Sequence, residues 1–181
     1  MTNLFKDIPA GDNLPEEINV VVDIPKGCAN KYEYDEEEGC FKLDRVNYSP
    51  LFYPCDYGFV PQTHSEDGDA LDILLLTTYP TFPGCIIKAR PVGLLLMKDE
   101  AGIDNKIIAV PVEKVDPRFK EIQDIDNLGE HIKKEIKVFF EDCKKLEPEK
   151  YKYVKVEGFE KKEKAMEIIK KAIEAYKTNN K

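Results

Sequence analysis

The stretch Asp67-Gly68-Asp69-Ala70-Leu71-Asp72-Ile73-Leu74-Leu75-Leu76 joins an acidic turn directly to an apolar run. The apolar run has the composition of a buried strand, and the glycine before it is typical of a turn. Three carboxylates this close repel one another, and a strand that begins at Leu71 partly removes them from water, so a divalent cation would neutralise them. Their oxygens suit magnesium, manganese or calcium better than zinc or copper. Acidic turns before strands are also common as solvated surface features, so the stretch alone leaves both interpretations open.

Around this stretch, short strand-like segments separated by Gly, Pro, Asn and Asp fill the chain from residue 19 to residue 112. The predicted strands are 20–24, 32–34, 41–43, 73–76, 86–91, 94–97 and 107–112. Many short strands of this kind indicate a closed or nearly closed barrel. Residues 99–105 predict a hairpin loop that brings Asp99, Asp104 and Lys106 to one rim.

Two helices follow the predicted barrel. Apolar residues recur at helical spacing from Leu128 to Cys143, and Pro148 ends that run. Residues 151–158 return to strand-like composition, and a final helix with a lysine-rich outer face covers residues 165–176. With 181 residues, 42% hydrophobic content and no repeat or linker, the chain predicts one domain over residues 1–181. Its fold class is mainly β (α+β), a small barrel with two packed helices.

Charge and cysteine content narrow the function classes. The 35 acidic residues exceed the 27 basic ones, and the net charge of -8 would repel a nucleic-acid backbone or an anionic membrane. Neither a membrane span nor a signal peptide is recognisable, which predicts a cytoplasmic protein. The five cysteines are odd in number and show no Cys-x-x-Cys spacing, so reduced thiols are expected.

The acidic stretch does not fit a calcium-binding EF-hand loop, since position 5 counted from Asp67 is Leu71 and position 12 is Thr78. Other segments add positively charged side chains, such as Lys31 and Arg45, and the phenol of Tyr57. A strand places Lys31 and Glu33 on one face, and Arg45 has the geometry for gripping phosphate oxygens. Each of these features alone is also common on an ordinary protein surface.

The order and spacing of seven segments closely resemble the family I soluble inorganic pyrophosphatases, in their short prokaryotic form, over residues 4–177. These segments are Lys31-Tyr32-Glu33, Asp44-Arg45, Phe52-Tyr53-Pro54-Cys55-Asp56-Tyr57-Gly58-Phe59, Glu66-Asp67-Gly68-Asp69-Ala70-Leu71-Asp72, Arg90-Pro91-Val92-Gly93, Asp99 to Lys106 and Val154-Lys155-Val156-Glu157-Gly158.

The resemblance implies a distorted five-stranded, OB-like barrel with the active site at its mouth and more than one Mg²⁺ per site. The implied metal ligands are Asp67, Asp72, Asp104, Asp99 and Glu33. The implied general base is Asp69. The implied phosphate contacts are Lys31, Arg45, Tyr57, Lys106, Lys144 and position 143. The chain departs from the family at Asp23, usually Glu, at Cys143, usually a phosphate-binding Tyr, and at Ala70, more often Pro.

The function implied is magnesium-dependent hydrolysis of pyrophosphate by a metal-activated water, in a protein expected to be a homohexamer. Two alternatives remain open at the level of sequence. One is a metal-dependent hydrolase of another phosphate compound, such as a nucleotide. The other is a non-catalytic OB-like module that stacks single-stranded nucleic acid on the aromatic stretch of residues 52–61, although the acidity of the chain argues against that ligand.

Overall fold

The computed structural model describes residues 2–65 and 68–179. Within them the chain forms nine strands, three α-helices and two short 3-10 helices. The strands are β1 (Ile18–Ile24), β2 (Asn30–Asp35), β3 (Cys40–Val46), β4 (Asp56–Val60), β5 (Leu71–Leu75), β6 (Ile86–Asp99), β7 (Gly102–Ile103), β8 (Lys106–Pro111) and β9 (Lys155–Lys161). The helices are η1 (Pro117–Phe119), η2 (Ile125–Asn127), α1 (Glu130–Asp142), α2 (Pro148–Tyr151) and α3 (Lys162–Asn179).

Five strands close into a ring in the order β1-β4-β5-β8-β6, and β6 pairs back with β1. Strands β5 and β8 run parallel, and the other pairs of the ring are antiparallel. The predicted five-stranded barrel is therefore confirmed. Strand β9 extends the sheet along the second half of β6, while β2 and β3 form a separate hairpin.

Both faces of the ring are buried, and alternating residues serve different cores. In β5, Ile73 and Leu75 join one hydrophobic cluster that includes Ala165 and Ile169 of α3. Leu74 points the other way, into a second cluster that includes Phe139 of α1. Each long helix thus covers one face of the barrel, which explains why both have a strongly amphipathic sequence.

The structure differs from the prediction at three places. Strand β4 occupies part of the aromatic stretch, where no strand was predicted. The predicted strands 86–91 and 94–97 are one strand, β6, which is continuous through a register shift between Pro91 and Gly93. Strand-like residues 151–158 begin in α2, and β9 starts only at Lys155.

Within residues 2–65 and 68–179, the structure contains no helix with the length and apolar character needed to cross a bilayer.

Candidate active site

One cavity of about 510 Å³ collects side chains from the barrel, from the β2–β3 hairpin and from the end of α1. Eleven of the twelve predicted site residues line it: Lys31, Glu33, Arg45, Tyr57, Asp69, Asp72, Asp99, Asp104, Lys106, Cys143 and Lys144. The twelfth, Asp67, lies outside the described residues. Side chains that are more than 110 positions apart in the sequence therefore share one site.

The parallel pair β5–β8 brings the central charges together. Ile73 is in register with Ile107, so the preceding residues, Asp72 and Lys106, also stand side by side. Their side chains lie on the face of the sheet that carries Leu74, because residues two apart in a strand point the same way. This face also contacts α1, and the two charges occupy its rim.

Lys106 is buried between two aspartates. Its Nζ lies 2.7 Å from Asp72 Oδ2 and 2.8 Å from Asp104 Oδ1, and the residue is 4% exposed. Burial works against its charged form, but the two carboxylates prevail and raise the pKa of the Lys106 ammonium. Lys106 is therefore a permanent positive charge inside the acidic site.

Tyr57 completes this group, because Lys106 Nζ also donates a hydrogen bond of 3.2 Å to Tyr57 Oη. Burial, together with the charges of Asp72 and Asp104, raises the pKa of the Tyr57 phenol well above its usual value. The hydroxyl stays protonated and can donate a hydrogen bond to an anion in the cavity. The Tyr53 ring packs 5.7 Å from that of Tyr57 and 4.6 Å from that of Phe139, so the phenol is held by packing on α1.

A second ion-pair group joins the end of α1 to the end of β6. Lys144 Nζ lies 2.9 Å from Asp99 Oδ2 and 2.6 Å from Glu100 Oε2. Burial raises the pKa of the Asp99 carboxyl, but hydrogen bonds from Lys144 and the Ala101 N–H outweigh it and lower that pKa overall. Asp99 is therefore ionised at neutral pH and available as a metal ligand.

Cys143 lies directly before Lys144 and caps α1. Its thiol lines the cavity and also packs against the hydrophobic cluster that contains Phe139. Burial is the main cause of the raised pKa of this thiol, which favours its neutral form.

The β2–β3 hairpin brings a further set of charges to the cavity. Lys31 is in register with Arg45, so two cations stand side by side. Lys31 forms ion pairs with Glu33 and with Asp44, the latter at 3.6 Å, and Arg45 also pairs with Asp44. Both cations are partly exposed towards the cavity, and an anion could replace their carboxylate partners.

Asp23 was noted in the sequence but was not predicted as a site residue. The pairing of β1 with β4 shifts at this position, and the shift directs its side chain into the cavity. Asp23 is 8% exposed, and its Oδ1 is buried without a hydrogen-bond partner among the described atoms. Burial, together with the charges of Asp72 and Glu33, raises the pKa of its carboxyl well above the usual value.

Asp69 lies on an exposed part of the cavity wall, immediately before β5. Gly68 precedes it with φ of +94°, a backbone conformation that favours glycine. The Ser65 N–H donates a 2.7 Å hydrogen bond to the Asp69 carbonyl oxygen, so the backbone at the carboxylate is fixed.

Sequence reasoning missed several cavity-lining residues: Asp23, Asn47, Tyr53, His64, Glu147 and Lys171. Tyr53 had a signal, since it belongs to the aromatic stretch and a buried tyrosine hydroxyl needs a partner. Asp23 had a signal in the family resemblance, where this position is usually Glu. The other four come from elements whose approach to the cavity depends on the tertiary fold.

The donor set of the cavity suits a hard divalent cation. Within residues 2–65 and 68–179, no three ligand side chains are already gathered around a common metal position. Lys106 Nζ lies between Asp72 and Asp104 and neutralises part of their negative charge. These two carboxylates are also oxygen ligands for a divalent metal ion. Beside them, the unpartnered Oδ1 of Asp23 is a buried oxygen for which the described residues provide no donor. Carboxylate oxygens are among the ligands that Mg²⁺ uses in proteins.

Comparison with known proteins gives a consistent result. The family model described as Inorganic pyrophosphatase matches residues 20–177. Over 177 residues the chain is 48% identical to the inorganic pyrophosphatase of Aquifex pyrophilus and 50% identical to that of Thermus thermophilus, covering 98% of this chain and 99% of each relative. The crystal structure from Thermus thermophilus matches with a TM-score of 0.92 and 48% identity, covering 97% of this chain and 99% of that chain. The similarity thus includes nearly the whole length in both sequence and fold.

Proposed function

Because this chain belongs to the inorganic pyrophosphatase family, we propose that it hydrolyses inorganic pyrophosphate to two phosphates with the help of magnesium. The family implies a divalent metal cofactor, and we assign Mg²⁺, with more than one ion per site. The observation that carries this proposal is one cavity, open to solvent, whose lining combines several carboxylates with lysine and arginine side chains. Such a site can hold a polyanion and its counter-cations together.

The carboxylates of Asp67, Asp72, Asp99, Asp104 and Glu33 would hold the metal. When bound, magnesium supplies charge neutralisation for the phosphates and lowers the pKa of a water molecule. Asp99 supports this assignment, since its lowered pKa keeps it ionised near Lys144. We add Asp23 as a nearby oxygen ligand, because its Oδ1 has no donor among the described residues.

The cations would bind the phosphates from three parts of the fold, namely the β2–β3 hairpin, the end of α1 and the barrel. Lys31 and Arg45 approach from the β2–β3 hairpin, and Lys144 approaches from the end of α1. Lys106 and the neutral Tyr57 hydroxyl, which share a 3.2 Å hydrogen bond, also line the cavity. Cys143 adds a weak thiol donor beside Lys144. Their combined charge would stabilise the leaving phosphate as negative charge builds on it.

Asp69 would act as the general base. Its carboxylate lies at the cavity wall on a fixed backbone, and it is more exposed than Asp72 or Asp104. A water molecule can therefore reach it from solvent. A positioned base contributes about 10²–10⁴-fold, so most of the acceleration must come from charge stabilisation and positioning.

The proposal is tested by measuring phosphate release from pyrophosphate, ATP and a simple phosphate monoester, with magnesium and with a chelator. We expect magnesium-dependent hydrolysis of pyrophosphate that far exceeds the other two. Turnover in metal-free buffer would contradict the proposal, and a preference for ATP or the monoester would indicate another phosphate hydrolase.

Two variants separate the proposed roles of the aspartates. Asp69→Asn should lower kcat by at least about 10²-fold and leave magnesium affinity largely intact, since loss of a base affects the chemical step. Asp72→Asn should weaken magnesium binding first and recover part of its activity in excess magnesium. Equal loss of metal affinity in both variants, measured by calorimetry, would remove the support for Asp69 as the base.

We also propose a cytoplasmic homohexamer. All five cysteines are free thiols, which suits a reducing compartment. Large apolar side chains stand exposed on the single chain, among them Tyr79, Phe82, Tyr48 and Phe52. Such side chains are typical of subunit interfaces. Light scattering coupled to size exclusion would measure the assembly, and a monomer at micromolar concentration would contradict it.

A further inference from the structure

The backbone around Asp69 is held by three consecutive residues. Thr63 Oγ1 accepts a 3.0 Å hydrogen bond from the Leu71 N–H. Ser65 N–H donates to the Asp69 carbonyl oxygen at 2.7 Å. Between them, His64 Nδ1 lies 2.8 Å from the Gly68 carbonyl oxygen. Residues on both sides of Asp69 are thus tied to residues 63–65.

His64 differs from Ser65, which uses its backbone N–H, and from Thr63, whose hydroxyl accepts a hydrogen bond, because its ring nitrogen faces a carbonyl oxygen. A carbonyl oxygen can only accept, so the contact requires that Nδ1 carries the hydrogen. The geometry therefore fixes the tautomer of the ring. The contact also joins the residue that directly precedes Asp69, where Gly68 has the left-handed φ of +94°.

The imidazole is itself held by two distant parts of the chain. Its ring centroid lies 5.7 Å from that of Phe5 and 5.2 Å from that of Tyr176 in α3. The backbone N–H of His64 donates a 3.0 Å hydrogen bond to the carbonyl oxygen of Ala172, which is also in α3. Ala70, on the other side of Asp69, packs against the aromatic cluster formed by Phe5, Tyr34, Phe41, Phe59 and Tyr176. The N-terminal segment and the last helix thus support the turn that carries the aspartate.

We propose that His64 is a positioning residue for Asp69, acting through the hydrogen bond from its Nδ1–H to the Gly68 carbonyl oxygen. The inference rests on the proposed role of Asp69 as the general base. Without the ring donor, Gly68 keeps its wide conformational freedom, and the carboxylate spends less time in its working position. At saturating magnesium the loss should appear in kcat, because excess metal compensates for any weakening at Asp67, the proposed ligand next to Gly68, and the other groups proposed to bind metal and phosphate lie on other elements.

Two variants separate the hydrogen bond from the packing of the ring. His64→Leu keeps an apolar side chain against Phe5 and Tyr176 but removes the donor. His64→Asn places an amide nitrogen where Nδ1 stands and retains it. We expect the Leu variant to lose about fivefold in kcat, the scale of one net hydrogen bond, with an unchanged KM. The Asn variant should keep more than half of the wild-type kcat.

A control addresses loosening of the aromatic cluster. Phe41 packs in this cluster through the Tyr34 ring, at 5.2 Å, whereas the ring contacts of His64 in the described part of the chain are with Phe5 and Tyr176. Phe41→Leu should lower thermal stability and leave kcat within about twofold. If it lowers kcat as much as His64→Leu does, the effect comes from packing and the positioning role is refuted. Equal kcat in His64→Leu and wild type, or equal loss in the Leu and Asn variants, also refutes it.

A spectroscopic test needs no variant. Long-range ¹H–¹⁵N correlation spectra at mildly alkaline pH, where imidazoles are neutral, report the tautomer of each histidine. His131, whose side chain is 86% exposed on α1, provides the internal comparison. We expect the Nδ1–H tautomer at His64, and an Nε2–H tautomer there would overturn the inference.

The last test distinguishes this inference from the proposed function. In an Asp69→Asn background, His64→Leu should cause no further loss of kcat, because it acts through the missing carboxylate. If Asp69→Asn alone retains full turnover, the proposed base is wrong. If Asp69→Asn is inactive while His64→Leu matches wild type, only the positioning role fails.

Discussion

At the scale of single residues, a lysine buried between two aspartates sets the charge balance of the cavity. Lys106 neutralises part of the repulsion between Asp72 and Asp104, so the chain can fold with these carboxylates close together. The same ammonium would hold phosphate in the working enzyme. One residue thus serves stability and, as proposed, substrate binding.

The first prediction concerns the removal of this charge. Lys106→Met should lower the free energy of unfolding of the metal-free protein by about 1–3 kcal/mol, because it leaves two partly buried carboxylates without their cation. Magnesium should restore more stability in the variant than in wild type, since the freed oxygens gain a replacement cation. Urea unfolding with and without magnesium measures both effects.

Lys98→Met is the matched control for that prediction. Lys98 lies on β6 and forms a surface ion pair with Glu157 at 3.3 Å. Its loss should cost less than about 1 kcal/mol, with no dependence on magnesium. Equal losses in the two lysine variants would show that Lys106 is not a structural counter-charge.

The second prediction concerns Cys143, which lines the cavity beside Lys144. Cys143→Tyr should be tolerated and lower KM for magnesium pyrophosphate by up to about tenfold, since a phenol adds one phosphate hydrogen bond of about 0.5–1.5 kcal/mol. Lys144→Ala should impair activity instead. A Cys143→Tyr protein that loses several kcal/mol of stability would show that the ring cannot turn into the cavity, because overpacking of the core has that effect.

Residue types predicted much of this site, although their partners could not be predicted. The carboxylates and cations were named from the spacing of segments that resemble a known family. The pairing of Lys144 with Glu100 depends on how α1 packs on the barrel, and the burial of Asp23 depends on the register shift between β1 and β4. Such contacts join residues far apart in the sequence and leave no local signal.

At the scale of secondary structure, β4 determines how tightly the ring closes. Gly58 lies in the middle of β4, where the backbone of β1 approaches so closely that a Cβ atom would stand 2.0 Å from the Val21 carbonyl oxygen. Its neighbours Tyr57 and Phe59 are two residues apart and therefore point to the face opposite to that of Gly58. The missing side chain therefore allows the strand contact that positions Tyr57.

The third prediction is that Gly58→Ala lowers the free energy of unfolding by about 3 kcal/mol, because the backbone of β1 must move away. Gly129→Ala, at the start of α1, is the control, since a Cβ there meets nothing within 4 Å. It should cost less than about 1 kcal/mol. Chemical denaturation compares the two variants, and equal costs would contradict the close approach of the strands.

Periodicity predicted the helices well and the strands less well. The helical spacing of apolar residues located α1 and α3, because each helix packs one face on the barrel. Strand β4 was missed because its glycine and the nearby prolines are typical of turns. Strand β6 was divided because its register shift follows Pro91, and a sequence pattern does not distinguish such a shift from a break.

At the scale of the whole molecule, the acidity of the chain is linked to its stability. The raised pKa of Asp23 means that folding disfavours its charged form. This contribution to stability is fully present below the ordinary value of 3.8 and is lost as pH rises through the higher folded value. At neutral pH, the metal-free protein therefore carries a cost from this one carboxylate.

The fourth prediction is that Asp23→Asn raises the free energy of unfolding of the metal-free protein at neutral pH by about 1–3 kcal/mol. This is the scale of the cost of burying a polar group without a hydrogen-bond partner. The advantage over wild type should shrink as pH falls towards 3.8, since protonation then relieves wild type in the same way. Thermal unfolding across pH, with chelator present, measures the difference. An advantage that is constant with pH would contradict the link to ionisation.

The closure of the ring by β1 and β6 has a consequence for how the chain acquires activity. Ile18 of β1 pairs with Ala89 of β6, and the lining of the cavity also includes Lys144 from the end of α1. Contacts between such distant positions lose loop-closure entropy before favourable interactions compensate for it. The barrel should therefore fold late and slowly compared with a helical bundle. A growing polypeptide on the ribosome therefore has no partly active stage, and catalysis begins only after nearly the whole chain has been synthesised.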